Sequence, residues 1–232
     1  MYETKLKLAK AIRMLENINL LDMNGHLSYR IHGTEQILIN SRRASRASIK
    51  VSDIVLADLN GNLIEGECEP PSETHIHTSI YLQRSDVYAV LHNHPHWQTV
   101  LGISGITSKP VFSIGSFSED IPTYEKSSLV NTKEMGDEVA EILGQSIAVQ
   151  LRHHGSVTVG EDIQSVFARS VFMEENAEKQ YYAFLLGSYR TLEGENLART
   201  QQSNWSAKIV QKVWDYHEEK AVRDGILSGI EN

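Results

Sequence analysis

The chain has 232 residues, 41% hydrophobic, 22% charged and 7% aromatic, which is enough to bury a sizeable core and excludes a disordered or fibrous protein. Its 22 Lys+Arg against 30 Asp+Glu give a net charge of −8, which argues against nucleic acid or an anionic membrane as partner and for a small molecule. The single cysteine, Cys68, excludes an internal disulfide, and no apolar run nears the roughly 20 residues of a membrane helix, so a cytoplasmic protein is expected.

The N-terminus carries Glu3, Glu16 and Asp22 and lacks a signal-type apolar block, so it is expected to be a mature first helix. Leu6, Leu8, Ile12, Leu15, Ile18 and Leu21 recur at helical spacing up to Asn24-Gly25, a pair able to cap a helix with positive φ. Short strands are expected at Leu27–Ile31, Gln36–Ile39 and Ile54–Asp58, with Asn60-Gly61 as a hairpin turn. Pro70-Pro71-Ser72-Glu73 reads as a helix entry with Ser72 as N-cap, and the helix then runs to about Arg84. Asp86 to His92 reads as a buried strand, His96 to Ile103 as a helix, and Val111–Ile114 as a short strand. A polar loop with Ser116, Ser118, Glu119, Asp120 and Pro122 follows and is a candidate lid.

Asn131 to Leu143 is helical by period and closes at Gly144. Strands at Ser146–Leu151 and Ser156–Val159 then flank Arg152-His153-His154-Gly155. Glu161-Asp162 starts a long helix through Leu185, and a second is expected from about Ala198 to Val222. With no repeat or linker, the chain is expected to form an α/β fold: a single three-layer α/β/α domain over 1–232, with a central mainly antiparallel sheet and 198–232 as a C-terminal helical extension.

The ten histidines are clustered. Residues i and i+2 of a strand share a face, so His92 and His94 can offer two imidazoles to one cation, while Pro95 ends the ladder. Such a pair taken alone is more often solvated. A second cluster changes the weighing: His154, before a glycine that permits a sharp corner, is the best third ligand. Three neutral imidazoles leave positions open, the pattern of a catalytic site for zinc or another divalent transition metal. His153, His96 and His75 are assigned structural hydrogen-bonding roles, and His77, four residues after Glu73, core packing.

Gly25-His26-Leu27-Ser28-Tyr29-Arg30, Pro71-Ser72-Glu73 with His77 and Tyr81, Arg84 through Pro95, and His153-His154-Gly155 with Val159-Gly160 occur in an order and spacing that resembles the class II aldolase/adducin family, over about Leu6 to Leu186. The resemblance implies His92, His94 and His154 as ligands of one divalent transition metal ion per subunit (Zn, Mn, Fe or Co), and Glu73 as the acid/base carboxylate. It implies a metal-stabilised enolate on the route of a carbon–carbon lyase, and a homotetramer in which Trp205, Trp214, Tyr216 or His217 reaches a neighbouring site. As packing anchors, those aromatic residues have a plainer explanation.

The phosphate-binding motifs of the sugar-phosphate members are largely missing, with Ser28 and Ser72 remaining. His26 with Arg42 or Arg43 suits a planar carboxylate through charge-assisted hydrogen bonds, as in the decarboxylase branch that this chain resembles. Substrate-binding residues are thus expected at His26, Ser28, Arg42, Arg43 and Ser72. The expected activity is decarboxylation of a hydroxylated aromatic or heteroaromatic carboxylate or a related hydroxy or keto acid, a small anionic substrate. An aldolase or epimerase acting on a sugar or sugar phosphate is the alternative, and an adducin-like non-catalytic binding module the third reading.

Overall fold

The computed structural model describes residues 1–117 and 121–231. Ser118, Glu119 and Asp120 of the candidate lid lie outside the described residues. Helix α1 (Tyr2–Asn17) leads into β1 (His26–Arg30), β2 (Gln36–Asn40), β3 (Ile54–Asp58) and β4 (Leu63–Glu65). Then come α2 (Thr74–Gln83), β5 (Ala89–Asn93), α3 (His96–Ile103), β6 (Thr123–Tyr124) and α4 (Lys133–Leu143). The chain continues through β7 (Ala148–Leu151), β8 (Gly155–Gly160), α5 (Ile163–Leu185), α6 (Gly194–Asn204) and α7 (Ala207–Arg223).

Among the described residues one sheet runs in the order β4-β3-β2-β1-β5-β8-β7-β6, antiparallel throughout except for the parallel β6–β7 pair. Strand alternation sends Leu27, Leu38, Leu56 and Leu91 into one core with α1, α5 and α7. Ile37, Ala57, Val90 and Val157 face a second core built with α2 and α4. The result is the expected layered α/β architecture, with helices over both faces of the sheet. No helix among the described residues is long and apolar enough to cross a membrane.

Several boundaries differ from the sequence reading, each for a local reason. Helix α1 stops at Asn17, and Leu20 and Leu21 return their N–H groups to the Leu15 carbonyl, so these two leucines are buried by a turn and not by a further helical turn. The positive φ falls on Asn19 (59°). Gly25 is required for a different reason: a Cβ there would strike the Leu21 side chain and lie 3.2 Å from the His92 carbonyl.

Ser72 does not cap α2. The cap position is Glu73, whose side chain makes no cap bond. The expected strand at Val111–Ile114 is absent because the Asn176 carboxamide takes the Val111 and Phe112 N–H groups, both at 3.1 Å, and Ser113–Gly115 forms a 3₁₀ turn. The strand expected from Asp86 begins only at Ala89, and the two residues of β6 were too few to show a period.

The expected second C-terminal helix is two helices. The chain breaks at Trp205-Ser206, where the Ser206 hydroxyl accepts from the Ile209 N–H and opens α7. Trp214 is buried against Phe167, with ring centroids 5.7 Å apart, and Trp205 packs on Phe117, so both serve as packing anchors of this chain's own core.

Candidate active site

The β1–β5 register sets His26 directly opposite His92 and Ser28 opposite Val90. All four side chains therefore share the face that looks toward α2. His94 lies just past the end of β5, and the turn between β7 and β8 brings His154 beside it, with ring centroids 4.9 Å from His92 and 5.0 Å from His94. The left-handed residue of that turn is His153 (φ 58°), not Gly155. Gly155 is needed for close approach: a Cβ would run into the Asn93 carbonyl and lie 2.7 Å from the His94 ring.

Glu73, 5% exposed at the head of α2, completes the cluster. Its Oε1 accepts the Val130 N–H at 2.9 Å and lies 3.8 Å from His154 Nε2. Its Oε2 lies 3.6 Å from His92 Nε2 and 3.9 Å from His26 Nε2. The donor atoms of His92, His94 and His154, and those of His26, Glu73 and His92, each lie within 4.8 Å of one another.

The outer nitrogens decide what this cluster can hold. His92 Nδ1 meets the Ser156 carbonyl at 3.0 Å and His94 Nδ1 meets the Asp22 carboxylate at 2.9 Å. A carbonyl and a carboxylate accept, so both hydrogens sit on Nδ1 and both Nε2 atoms are bare. Those Nε2 atoms are buried without a hydrogen-bond partner among the described residues. Convergent unpaired imidazole lone pairs, each backed by an acceptor on the far nitrogen, fit a divalent transition metal. Burial holds His92 and His154 below the usual histidine range, although Glu73 pulls both the other way, so the rings are neutral, as ligands must be. His26 is pushed down to about 3, by burial first and then by Arg46 and the other imidazoles.

Asp22 was missed by the sequence reading. Burial raises its pKa, but hydrogen bonds from His94, Asn24 and Gly25 outweigh that and hold it below the usual carboxylate range. Replacing it by Asn leaves His94 without a charged acceptor, and Asp22→Asn is expected to weaken metal affinity about 10-fold or more, measured by competition against a chromogenic chelator. Its signal in the sequence was slight, an Asx-type turn before Asn24-Gly25.

The cleft beside the cluster measures about 420 Å³ and is lined by His26, Arg42, Ser72, Glu73, His94 and Leu129, among others. Arg42 and Ser72 are exposed on its wall. Two of the sequence-derived substrate residues lie elsewhere. Arg43 lines a different cleft with Asp53 and Glu65, because neighbouring residues leaving β2 face opposite ways. Ser28 is fully buried, its hydroxyl taken by His77 at 2.6 Å and Tyr81 at 2.7 Å. Arg46 touches the cleft, but its guanidinium is spent on the carbonyls of Gly25, Ser41 and Ala44. His153 and His96 are exposed. His77 is buried as expected, but as a hydrogen-bonding residue rather than a packing one.

The chain is 29% identical over 184 residues to a 3,4-dihydroxyphthalate decarboxylase of Arthrobacter keyseri, covering 72% of this chain and 73% of that one. It is 30% identical over 145 residues to an L-fuculose phosphate aldolase of Methanococcus maripaludis, covering 62% and 78%. Among solved structures, an L-fuculose 1-phosphate aldolase superimposes with a TM-score of 0.80 at 26% identity, over 87% of this chain and 95% of that one. The family model for the Class II Aldolase and Adducin N-terminal domain matches residues 6–181, and with the sheet order and histidine cluster above, the chain belongs to the class II aldolase and adducin family.

Proposed function

We propose that the protein is a metal-dependent carbon–carbon lyase that decarboxylates a hydroxylated aromatic or heteroaromatic carboxylate, or a related hydroxy or keto acid. The observation that carries this reading is the state of the cleft's anion-binding groups. The Ser28 hydroxyl is withdrawn to His77 and Tyr81, and the Arg46 guanidinium is occupied by backbone carbonyls. Arg42 is left as the cation on the wall, with Ser72 beside it. A compact phosphate is matched by amides and several small hydroxyls, whereas a guanidinium matches a planar carboxylate in bidentate fashion. The Arthrobacter relative is named for a hydroxylated aromatic acid, which supports the same class.

In this reading His92, His94 and His154 hold one divalent ion. When bound, the ion supplies Lewis-acid stabilisation of negative charge on the substrate's oxygens. Arg42 orients the substrate through a second carboxylate or ring substituent, away from the bond that breaks. Glu73, held by the Val130 N–H, takes the proton of the substrate hydroxyl. As the carbon–carboxylate bond breaks and carbon dioxide leaves, the bonding pair stays with the substrate and Glu73 returns the proton to that carbon. A homotetramer is part of the same proposal, supported by the exposed Tyr182, Phe184, Leu185 and Leu186 at the end of α5.

Aldol cleavage of a sugar phosphate is the second reading, favoured by the names of the Methanococcus relative and the solved structure. The test is carbon dioxide release from 3,4-dihydroxyphthalate and a panel of hydroxybenzoates by zinc- or manganese-loaded protein, beside aldehyde release from L-fuculose 1-phosphate. Carbon dioxide that vanishes on chelation and returns with the ion is expected. Aldehyde without carbon dioxide would establish the second reading. Arg42→Met is expected to raise KM for the carboxylate about 10-fold or more with kcat little changed, since it removes a binding contact remote from the broken bond.

A further inference from the structure

His26 offers the cleft one ring nitrogen; the other ends a buried chain. His26 Nδ1 lies 2.6 Å from His77 Nε2, His77 Nδ1 lies 2.6 Å from Ser28 Oγ, and Ser28 Oγ lies 2.7 Å from the Tyr81 hydroxyl. The Tyr81 hydroxyl in turn is 3.4 Å from the Tyr88 carbonyl. None of the four residues is more than 1% exposed. Each link holds one hydrogen and each neutral imidazole carries one, so the hydrogens along the chain all point the same way.

Two directions are conceivable. In the first, Tyr81 donates to Tyr88, Ser28 to Tyr81, His77 Nδ1 to Ser28 and His26 Nδ1 to His77, leaving His26 Nε2 as a bare lone pair. In the second, Tyr81 donates to Ser28, Ser28 to His77 Nδ1 and His77 Nε2 to His26, leaving an N–H on His26 Nε2.

The far end of the chain selects the first. The Tyr88 carbonyl can only accept, and it receives the Tyr81 hydrogen only in that direction. In the first direction every hydrogen has an acceptor. The second strands a buried N–H on His26, whose facing carboxylate oxygen, Glu73 Oε2, is out of bonding reach at 3.9 Å. A stranded buried donor is the rarer and costlier defect.

We infer that the Tyr81–Ser28–His77 chain fixes His26 with its hydrogen on Nδ1 and turns a bare Nε2 to the cleft, where it accepts a hydrogen bond from a second substrate hydroxyl, other than the one that gives its proton to Glu73, and selects acids with that second hydroxyl over those without it. The substrate class rests on the decarboxylase reading; the tautomer does not. His26 is the specificity-determining residue, and Ser28, His77 and Tyr81 are positioning residues that act through it. Ser28 thus has a use in the site without reaching the substrate.

The test uses zinc-loaded protein. Imidazole ¹⁵N NMR distinguishes bare from protonated ring nitrogens, and calorimetry compares 2,3-dihydroxybenzoate with 2-hydroxybenzoate. The hydrogen is expected on His26 Nδ1, with 2,3-dihydroxybenzoate bound about 10-fold more tightly, the worth of one well-placed hydrogen bond. Tyr81→Phe keeps the ring and removes the end of the chain; it is expected to mix the two tautomers and erase most of the preference. Ser28→Ala cuts the chain one link nearer and is expected to do the same. A hydrogen on Nε2 in the unaltered protein overturns the inference, as does an unchanged tautomer with an unchanged preference in both variants. Because the tautomer is read without turnover, a protein that keeps the hydrogen on Nδ1 but releases no carbon dioxide upholds it while overturning the decarboxylase reading.

Discussion

Glu73→Gln is expected to lower turnover by about 10²–10⁴-fold with folding and metal content unchanged. The carboxamide is close to isosteric with the carboxylate, which matters for a side chain only 5% exposed. Its oxygen can still accept the Val130 N–H that Glu73 Oε1 accepts at 2.9 Å. What it cannot do is take a proton from a hydroxyl and return it to carbon. Steady-state kinetics and metal analysis on the same preparation check both halves of the expectation. Turnover within about threefold of the unaltered protein would remove Glu73 from proton transfer, since general acid–base catalysis contributes far more than that.

His92→Ala is the second large effect. The imidazole is fully buried, its Nδ1 pinned by the Ser156 carbonyl and its donor nitrogen within 4.8 Å of those of His94 and His154. Removing it leaves two imidazoles where a facial set needs three, and bound metal is expected to fall from about one equivalent to below about a tenth, with turnover falling alongside. The vacated space adds a destabilisation of about 2 kcal/mol, readable as a lower urea midpoint. His153→Ala is the control: that ring is exposed at the tip of the adjoining turn, and its removal is expected to leave metal content and turnover unchanged. Unaltered metal content in His92→Ala would favour a non-catalytic binding module.

The parts of the site legible in the sequence were those governed by local periodicity. Strand alternation pairs His92 with His94, and the two rings do meet although His94 lies one residue past the end of β5, and α3, α4 and α5 fall close to their expected limits. The resemblance supplied Glu73. Longer-range geometry was not legible. Asp22 reaches His94 across 72 positions of sequence and Val130 reaches Glu73 across 57, and neither spacing has a local signature. Glu73, His77 and Tyr81 do fall four residues apart on one helical stripe. Yet only the β1–β5 register, which lays His26 and Ser28 over that stripe, shows that His77 and Tyr81 serve His26 and not the core alone. Arg42 and Arg43 line different clefts, and nothing in the sequence says which of two neighbours beyond the end of β2 faces the metal cluster.

A planar carboxylate is proposed to bind in this cleft beside a metal ion, where phosphate would sit in a sugar-phosphate aldolase. The most direct test is calorimetric titration of fully metal-loaded protein with two probes, a hydroxyaromatic carboxylate and a phosphorylated hydroxamate that mimics the enediolate of an aldol reaction. Tighter binding of the carboxylate is expected, lost on chelation and weakened in Arg42→Met. Tight, metal-dependent binding of the hydroxamate that disappears when its phosphate is removed would contradict it and restore the aldolase.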